Sequence, residues 1–133
     1  MTHLSHPQPG TIVRVDLSDG FKPPEMVKRR PAIVLSPQIR GRPLLCTIVP
    51  LSTSEPRVPQ EHHLKLSFAK PLPRPYDEPS MWVKGDIVLT VALHRLRLLF
   101  ARKDGGQRIY DVRILDHDTM ERVRACVRAG LGI

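Results

Sequence analysis

Three cations stand together at Lys28, Arg29 and Arg30, and Pro31 then opens an apolar run from Ala32 to Leu35. Like charges at the head of a buried strand are either solvated in a loop or held ready for an anion. Arg30 is the best placed of the three. Between a turn and a rigid, proline-led strand, its planar guanidinium can grip a phosphate through two parallel hydrogen bonds. The plain alternative is a surface salt bridge, which contributes little. Lys28 and Arg29 lie nearer the loop and should mainly add long-range attraction. Metal chemistry finds no support in the spacing of potential ligands. Cys46 and Cys126 are far apart in sequence and outside any CxxC pattern, so both read as reduced core thiols. The six histidines show no common spacing, and the adjacent pair His62-His63 would point to opposite sides of a strand.

Composition sets the frame for such a site. At 133 residues the chain reads as a single domain spanning 1–133. Hydrophobic residues at 41% and charged residues at 26% exclude wholesale disorder. Lys and Arg number 21 against 13 Asp and Glu, a net charge of +8, and this favours a polyanionic partner, nucleic acid before acidic protein. The basic residues are spread along the chain, so the excess belongs to the folded surface. The opening "MTHLSHPQPG" has neither a basic nor an apolar signal region, and Arg and His interrupt the apolar stretches too often for a bilayer span. A cytoplasmic protein with no membrane role is expected.

The elements that must position the cations are mostly short strands. "TIVRVDL", Thr11 to Leu17, alternates apolar and polar residues; "PAIVLS" and "LCTIVPL" are more continuously apolar and belong to the sheet's core. "HLKLSF" alternates again, and "MWVKGDIVLT" follows. Between these last two, Pro71, Pro73, Pro75 and Pro79 forbid a helix and predict a stiff extended loop, a spacer more than a ligand for a partner module. A hairpin should turn at Asp104-Gly105-Gly106, whereas "VALHRLR" fits a strand or a short helix equally. One helix is predicted from Thr119 to Ala129, capped by Asp118 with Glu121 and stopped by Gly130. Its apolar face carries Met120, Val123 and Val127 with Cys126 beside them, and Arg122, Arg124 and Arg128 face water. Five or more strands closed by one helix describe a mainly β fold, a small β-barrel.

The blocks "PGTIVRVDL", "KRRPAIVLSP", "TIVPLSTS" and "MWVKGDIVLTV", with "HRL" behind the last, resemble the PemK/MazF family of toxins from bacterial toxin–antitoxin pairs. They occur in the family's order and cover most of the chain. The resemblance implies an SH3-like β-barrel with a C-terminal helix that forms a homodimer and cuts single-stranded RNA at short sequences without a metal or other cofactor. It also implies silencing by a cognate antitoxin, an acidic and partly disordered segment drawn to the same groove by the positive charge.

Metal-free cleavage of RNA lets the ribose 2′-hydroxyl attack its own phosphate. It needs a base for that hydroxyl, an acid for the leaving oxygen and cations on a dianionic phosphorane. By resemblance Arg30 is the catalytic arginine. Ser52 and Thr53 follow the strand "TIVPL" as the family's Thr-Ser pair does, in reversed order, so either hydroxyl could contact the phosphate; a polar turn alone would explain them equally well. The family's basic residue, aspartate and threonine fall on Lys84, Asp86 and Thr90. Two apart on a strand, Lys84 and Asp86 would share a face as cation and base; a Gly-Asp turn beside a lysine is the alternative. Several relatives carry a loop histidine that is Pro24 here, which leaves Glu25 or Asp86 as the base. Two other functions fit the same barrel. A gyrase-poisoning toxin would not need the Arg30 block, and a plain RNA-binding module would carry more than 5% aromatics.

Overall fold

Strand alternation sorts the apolar residues into two cores, one on each face of an antiparallel sheet. The computed structural model describes residues 5–133, and His3 lies outside the described residues. The strands are β1 (Ile12–Asp16), β2 (Arg29–Val34), β3 (Leu45–Ser52), β4 (His63–Ser67), β5 (Ser80–Lys84), β6 (Leu89–Ala92), β7 (Leu96–Asp104) and β8 (Gln107–Asp111), followed by helix α1 (His117–Leu131). Across the sheet they run β4-β5-β3-β2-β1-β7-β8, and β6 is also paired with β3. The fold is mainly β with a C-terminal helix, as expected. The hydrogen-bonded path stays open, because β8 belongs to a hairpin whose residues are mostly exposed and bring no apolar face against β4.

The buried strand β3 changes partner midway. Leu45 to Ile48 pair with β6, Leu51 and Ser52 pair with β5, and Pro50, which has no N–H to donate, sits in the gap. On one face Ile33, Val49, Leu51, Met81 and Val83 pack against Met120, Val123 and Cys126 of α1. On the other, Val13, Val15, Ala32, Val34, Ile48 and Leu96 form the second core. Both cysteines are free and buried, and burial pushes the Cys46 thiol up to about 11, so it stays protonated at neutral pH.

Three expectations are corrected. The run "MWVKGDIVLT" is two strands separated by a turn after Lys84, which Ile87 closes by donating its N–H to the Lys84 carbonyl at 3.0 Å. "VALHRLR" is neither strand nor helix alone: β6 ends at Ala92, Leu93–Arg95 make one 3-10 turn, and β7 starts at Leu96. The helix is longer than predicted at both ends. Asp116, not Asp118, accepts the Thr119 N–H at 2.9 Å as N-cap, and Gly132, not Gly130, ends the helix in the left-handed region at φ 69°. The pattern Asp-x-x-polar occurs twice, and the earlier copy gains two further helical residues. The apolar face is as expected, and Arg124 pairs with Glu121 at 2.6 Å.

Gly130 serves another purpose. A Cβ there would lie 2.4 Å from the Asp86 nitrogen, and one on Gly85 would lie 2.3 Å from the Cys126 carbonyl oxygen. The proline-rich loop acts as a spacer, with Leu72 buried and Arg113 donating to the Lys70 carbonyl at 2.5 Å.

In an ordinary helix interior, replacing glycine with alanine stabilises by about 1 kcal/mol. Here Gly130→Ala should instead destabilise by about 1–3 kcal/mol, because the new methyl meets backbone that cannot move aside. Thermal unfolding followed by circular dichroism checks the sign.

Candidate functional site

Register places a polar strip at one end of the face opposite the helix. Ala32 and Ile48 belong to the second core, so two-residue alternation puts Arg30 and Ser52 on that same face. The pairing Ala32↔Pro50, extended by two residues, brings Arg30 opposite Ser52. Ser52 is opposite Trp82, Trp82 opposite Lys65, and Lys84 opposite His63. The strip therefore runs Arg30, Ser52, Trp82, Lys65 at one strand spacing each, roughly 4.8 Å. Ser52 is 7% exposed, and its Oγ accepts the Ser54 N–H at 3.1 Å, which leaves its own proton to donate outward. Thr53 follows the strand end and is exposed. Of the two hydroxyls, Ser52 is the one that alternation sets on the face of Arg30.

The three cations of the cluster have different surroundings. Lys28 is exposed in the loop. Arg29, opposite Asp16 in the β1–β2 register, forms an ion pair with it at 3.0 Å. Arg30 is half-buried, and its Nε finds no hydrogen-bond partner among the described residues. Burial lowers its pKa, with Tyr76 opposing. A buried guanidinium nitrogen without a partner is costly, and an anion in front of it removes the cost. The Arg14 Nε is also buried without a partner, but alternation sets it on the helix side of the sheet.

The loop that leads into β2 is pinned from below. Arg95 donates to the carbonyls of Asp16 at 3.1 Å and Asp19 at 2.7 Å, and its guanidinium stacks 4.8 Å from the Phe21 ring centroid. That is the physical use of "HRL". Glu25, exposed in this loop, accepts the Lys22 N–H at 3.1 Å within a turn.

The remaining candidates lie elsewhere. Asp86 is in the turn after β5 and does not continue the strand face of Lys84. Thr90 bonds Thr47 across β3 and β6 at 2.7 Å, on the side away from the second core. Neither continues the strand faces that carry Arg30 and Ser52.

His62 and His63, by contrast, come together against expectation. His62 precedes β4 and His63 begins it, so strand alternation does not separate them. Their ring centroids are 4.0 Å apart, and His62 Nε2 is 3.9 Å from Asp86 Oδ1. Ligand atoms of His62, His63 and Asp86 lie within 4.8 Å of one another, a nitrogen-rich donor set of the kind that Zn²⁺ takes. The Gln60 N–H, however, points at His63 Nδ1 from 3.0 Å, which puts the neutral ring's proton on Nε2. His63 thus carries its N–H at Nε2, and burial, with His62 nearby, lowers its pKa against the pull of Asp86. The adjacent pair in the sequence was the available signal for this cluster, but only the turn at Gly85 brings Asp86 to it.

The comparisons with known proteins agree with this architecture. The model of a family described as a PemK-like, MazF-like toxin of type II toxin–antitoxin systems matches residues 8–131. The Escherichia coli (strain K12) protein YifN is 33% identical over 81 residues, 59% of this chain and 53% of that protein, so the chain spans about half the length of this curated relative. Among solved structures, MazF from Deinococcus radiodurans superposes with a TM-score of 0.67 at 19% identity, covering 96% of this chain and 98% of that one. A mycobacterial endoribonuclease in complex with its cognate antitoxin gives 0.62 at 19% identity, with 96% of each chain covered. At such identities these structures speak for the fold.

The Asp16–Arg29 pair carries a pH signature. Hydrogen bonds from Ser18, and then Arg29, hold the Asp16 carboxyl well below the usual carboxylate range. A depressed folded-state pKa stabilises the fold above the unfolded value, near 3.8, and the contribution fades as pH falls below it. Asp16→Asn should therefore lower the melting temperature at pH 7. The gap from the parent should narrow below about pH 4, as thermal melts across that range will report.

Proposed function

The chain belongs to the PemK-like, MazF-like toxin family of type II toxin–antitoxin systems, and from that premise we propose that it is an endoribonuclease cutting single-stranded RNA without a metal. One observation carries the proposal: a half-buried arginine on a polar strip, with Nε unpartnered among the described residues, beside a buried serine hydroxyl free to donate. Arg29, Arg95 and Arg113 all spend their donors on the protein. Among the described residues Arg30 does not, so its geometry suits a phosphate.

In this mechanism Arg30 and Ser52 hold the scissile phosphate. The 2′-oxygen forms its bond to phosphorus as the bond to the 5′-oxygen breaks, which leaves a cyclic phosphate and a 5′-hydroxyl. Glu25, in the loop that runs directly into β2, takes the 2′-hydroxyl proton, and the leaving oxygen collects one from solvent at this exposed edge. Glu25 is preferred to Asp86 because Asp86 sits in the turn after β5, against His62. The partner would be an acidic antitoxin segment that competes with RNA for the strip, and the active form a homodimer whose groove spans both subunits.

Single-turnover cleavage of a mixed RNA in excess EDTA tests the proposal. Cutting should persist and leave cyclic phosphate ends. Arg30→Ala should slow it roughly 10²- to 10³-fold with the fold intact by circular dichroism, and Arg30→Lys should rescue little. Arg29→Ala should cost far less. A requirement for Mg²⁺, or equal mild losses in both arginine variants, would overturn the assignment.

The base is tested separately. Glu25→Gln should reduce the rate roughly 10²-fold or more, while Asp86→Asn should stay within a few-fold of the parent. The reverse ranking would place the base at Asp86.

A further inference from the structure

Trp82 is the chain's one tryptophan, and neither core uses it. Its neighbours Met81 and Val83 point to the helix side and are buried there, which turns the indole to the other face. On that face Trp82 sits partly exposed between Ser52 on β3 and Lys65 on β4, with Lys84 two residues further along its own strand. Among the described residues no aromatic ring or guanidinium stacks on it; the stacked cations are Arg95, Arg108 and Arg113, each on a phenylalanine. A large flat ring between a hydroxyl and two lysines has little structural purpose. It matches a strand of nucleotides, whose flat bases alternate with phosphates.

We propose that Trp82 is a stacking platform for a base of the bound single-stranded RNA, next to the phosphate held by Arg30 and Ser52, with Lys65 and Lys84 taking neighbouring phosphates. This rests on the nuclease reading above. The platform lies one strand spacing from Ser52 and two from Arg30, roughly 5 and 10 Å, so a nucleotide adjoining the cut falls over it. Stacking accepts any base, so Trp82 tightens binding and sets the position of the strand, while Arg30 carries the chemistry. An acidic protein segment would find the lysines equally attractive but has no need of an open indole between them.

The single tryptophan makes the test direct. Intrinsic fluorescence of the parent protein is titrated with a 2′-O-methylated RNA, which has no nucleophile and cannot be cut, and in parallel with polyphosphate, which has the charge and no bases. Saturable quenching by the RNA and none by polyphosphate supports the platform; equal quenching by both overturns it. Binding of a dye-labelled copy of the same RNA, followed by anisotropy, should weaken roughly 5- to 150-fold in Trp82→Ala, and Trp82→Phe should restore most of it. Polyphosphate binding should not change in either variant. On a cleavable RNA the loss in Trp82→Ala should appear in KM with kcat within a few-fold. An unchanged KM would remove the platform and leave the nuclease standing, whereas base-dependent quenching by an RNA whose cleavable form is never cut would uphold the platform and remove the nuclease. If Trp82→Ala fails to fold, the parent titration and the phenylalanine variant decide.

Discussion

A side chain on Gly85 would bring a Cβ to 2.3 Å from the carbonyl oxygen of Cys126, and one on Gly130 would bring it to 2.4 Å from the backbone nitrogen of Asp86. Backbone meets backbone there, helix against turn, and much of the architecture follows from that approach. It ends β5 at Lys84, sends β6 to the other half of β3, and seats α1 over Val49, Leu51, Met81 and Val83. The Gly85 N–H and the Cys126 thiol both donate to the His62 carbonyl, at 2.7 and 2.9 Å, so the entry to β4 is tied to the same node. With α1 covering one face, the other is left to the second core and, at its end, to the polar strip.

Electrostatics divides the basic surface into structural and available charge. The net charge of +8 draws in anions at long range but does not say where they bind. Local pairing does. Arg29 is bound to Asp16, Arg95 to the backbone of the β1–β2 loop, and Arg113 to Asp111 and the proline-rich loop. Those pairs fix the loops on either side of the strip and leave Arg30 as the half-buried guanidinium of the opening cluster with an unpartnered nitrogen. The rigidity of its surroundings makes such a cation useful, since donors already in place need no reorganisation when charge develops on a substrate.

Half-burial made β1 and β4 legible by their alternation, and full burial made β2 and β3 legible by their continuous apolar runs; all four stand close to where those patterns place them. The hairpin turn at Gly105-Gly106 followed from glycine chemistry, and both residues do have positive φ. Gly130 was legible only as a glycine near a helix end. Its use depends on Gly85, forty-five positions earlier in the chain, and no local pattern links the two. The same holds for the helix start, where Asp116 and Asp118 offer equivalent local caps and the longer helix prevails.

By itself the sequence determined the class of fold, the basic character of the surface and the placement of Arg30 and Ser52 at strand ends, because each depends on residue type and spacing within a few positions. Tertiary structure alone decided which residues share a site. It put Trp82 beside Ser52 on the face that alternation gives Arg30, moved Thr90 to another face, and gathered His62, His63 and Asp86 around a turn. The reason is geometric: alternation says which side of its own strand a residue occupies, while neighbourhood depends on strand order and register, which are set by packing between segments far apart in the chain.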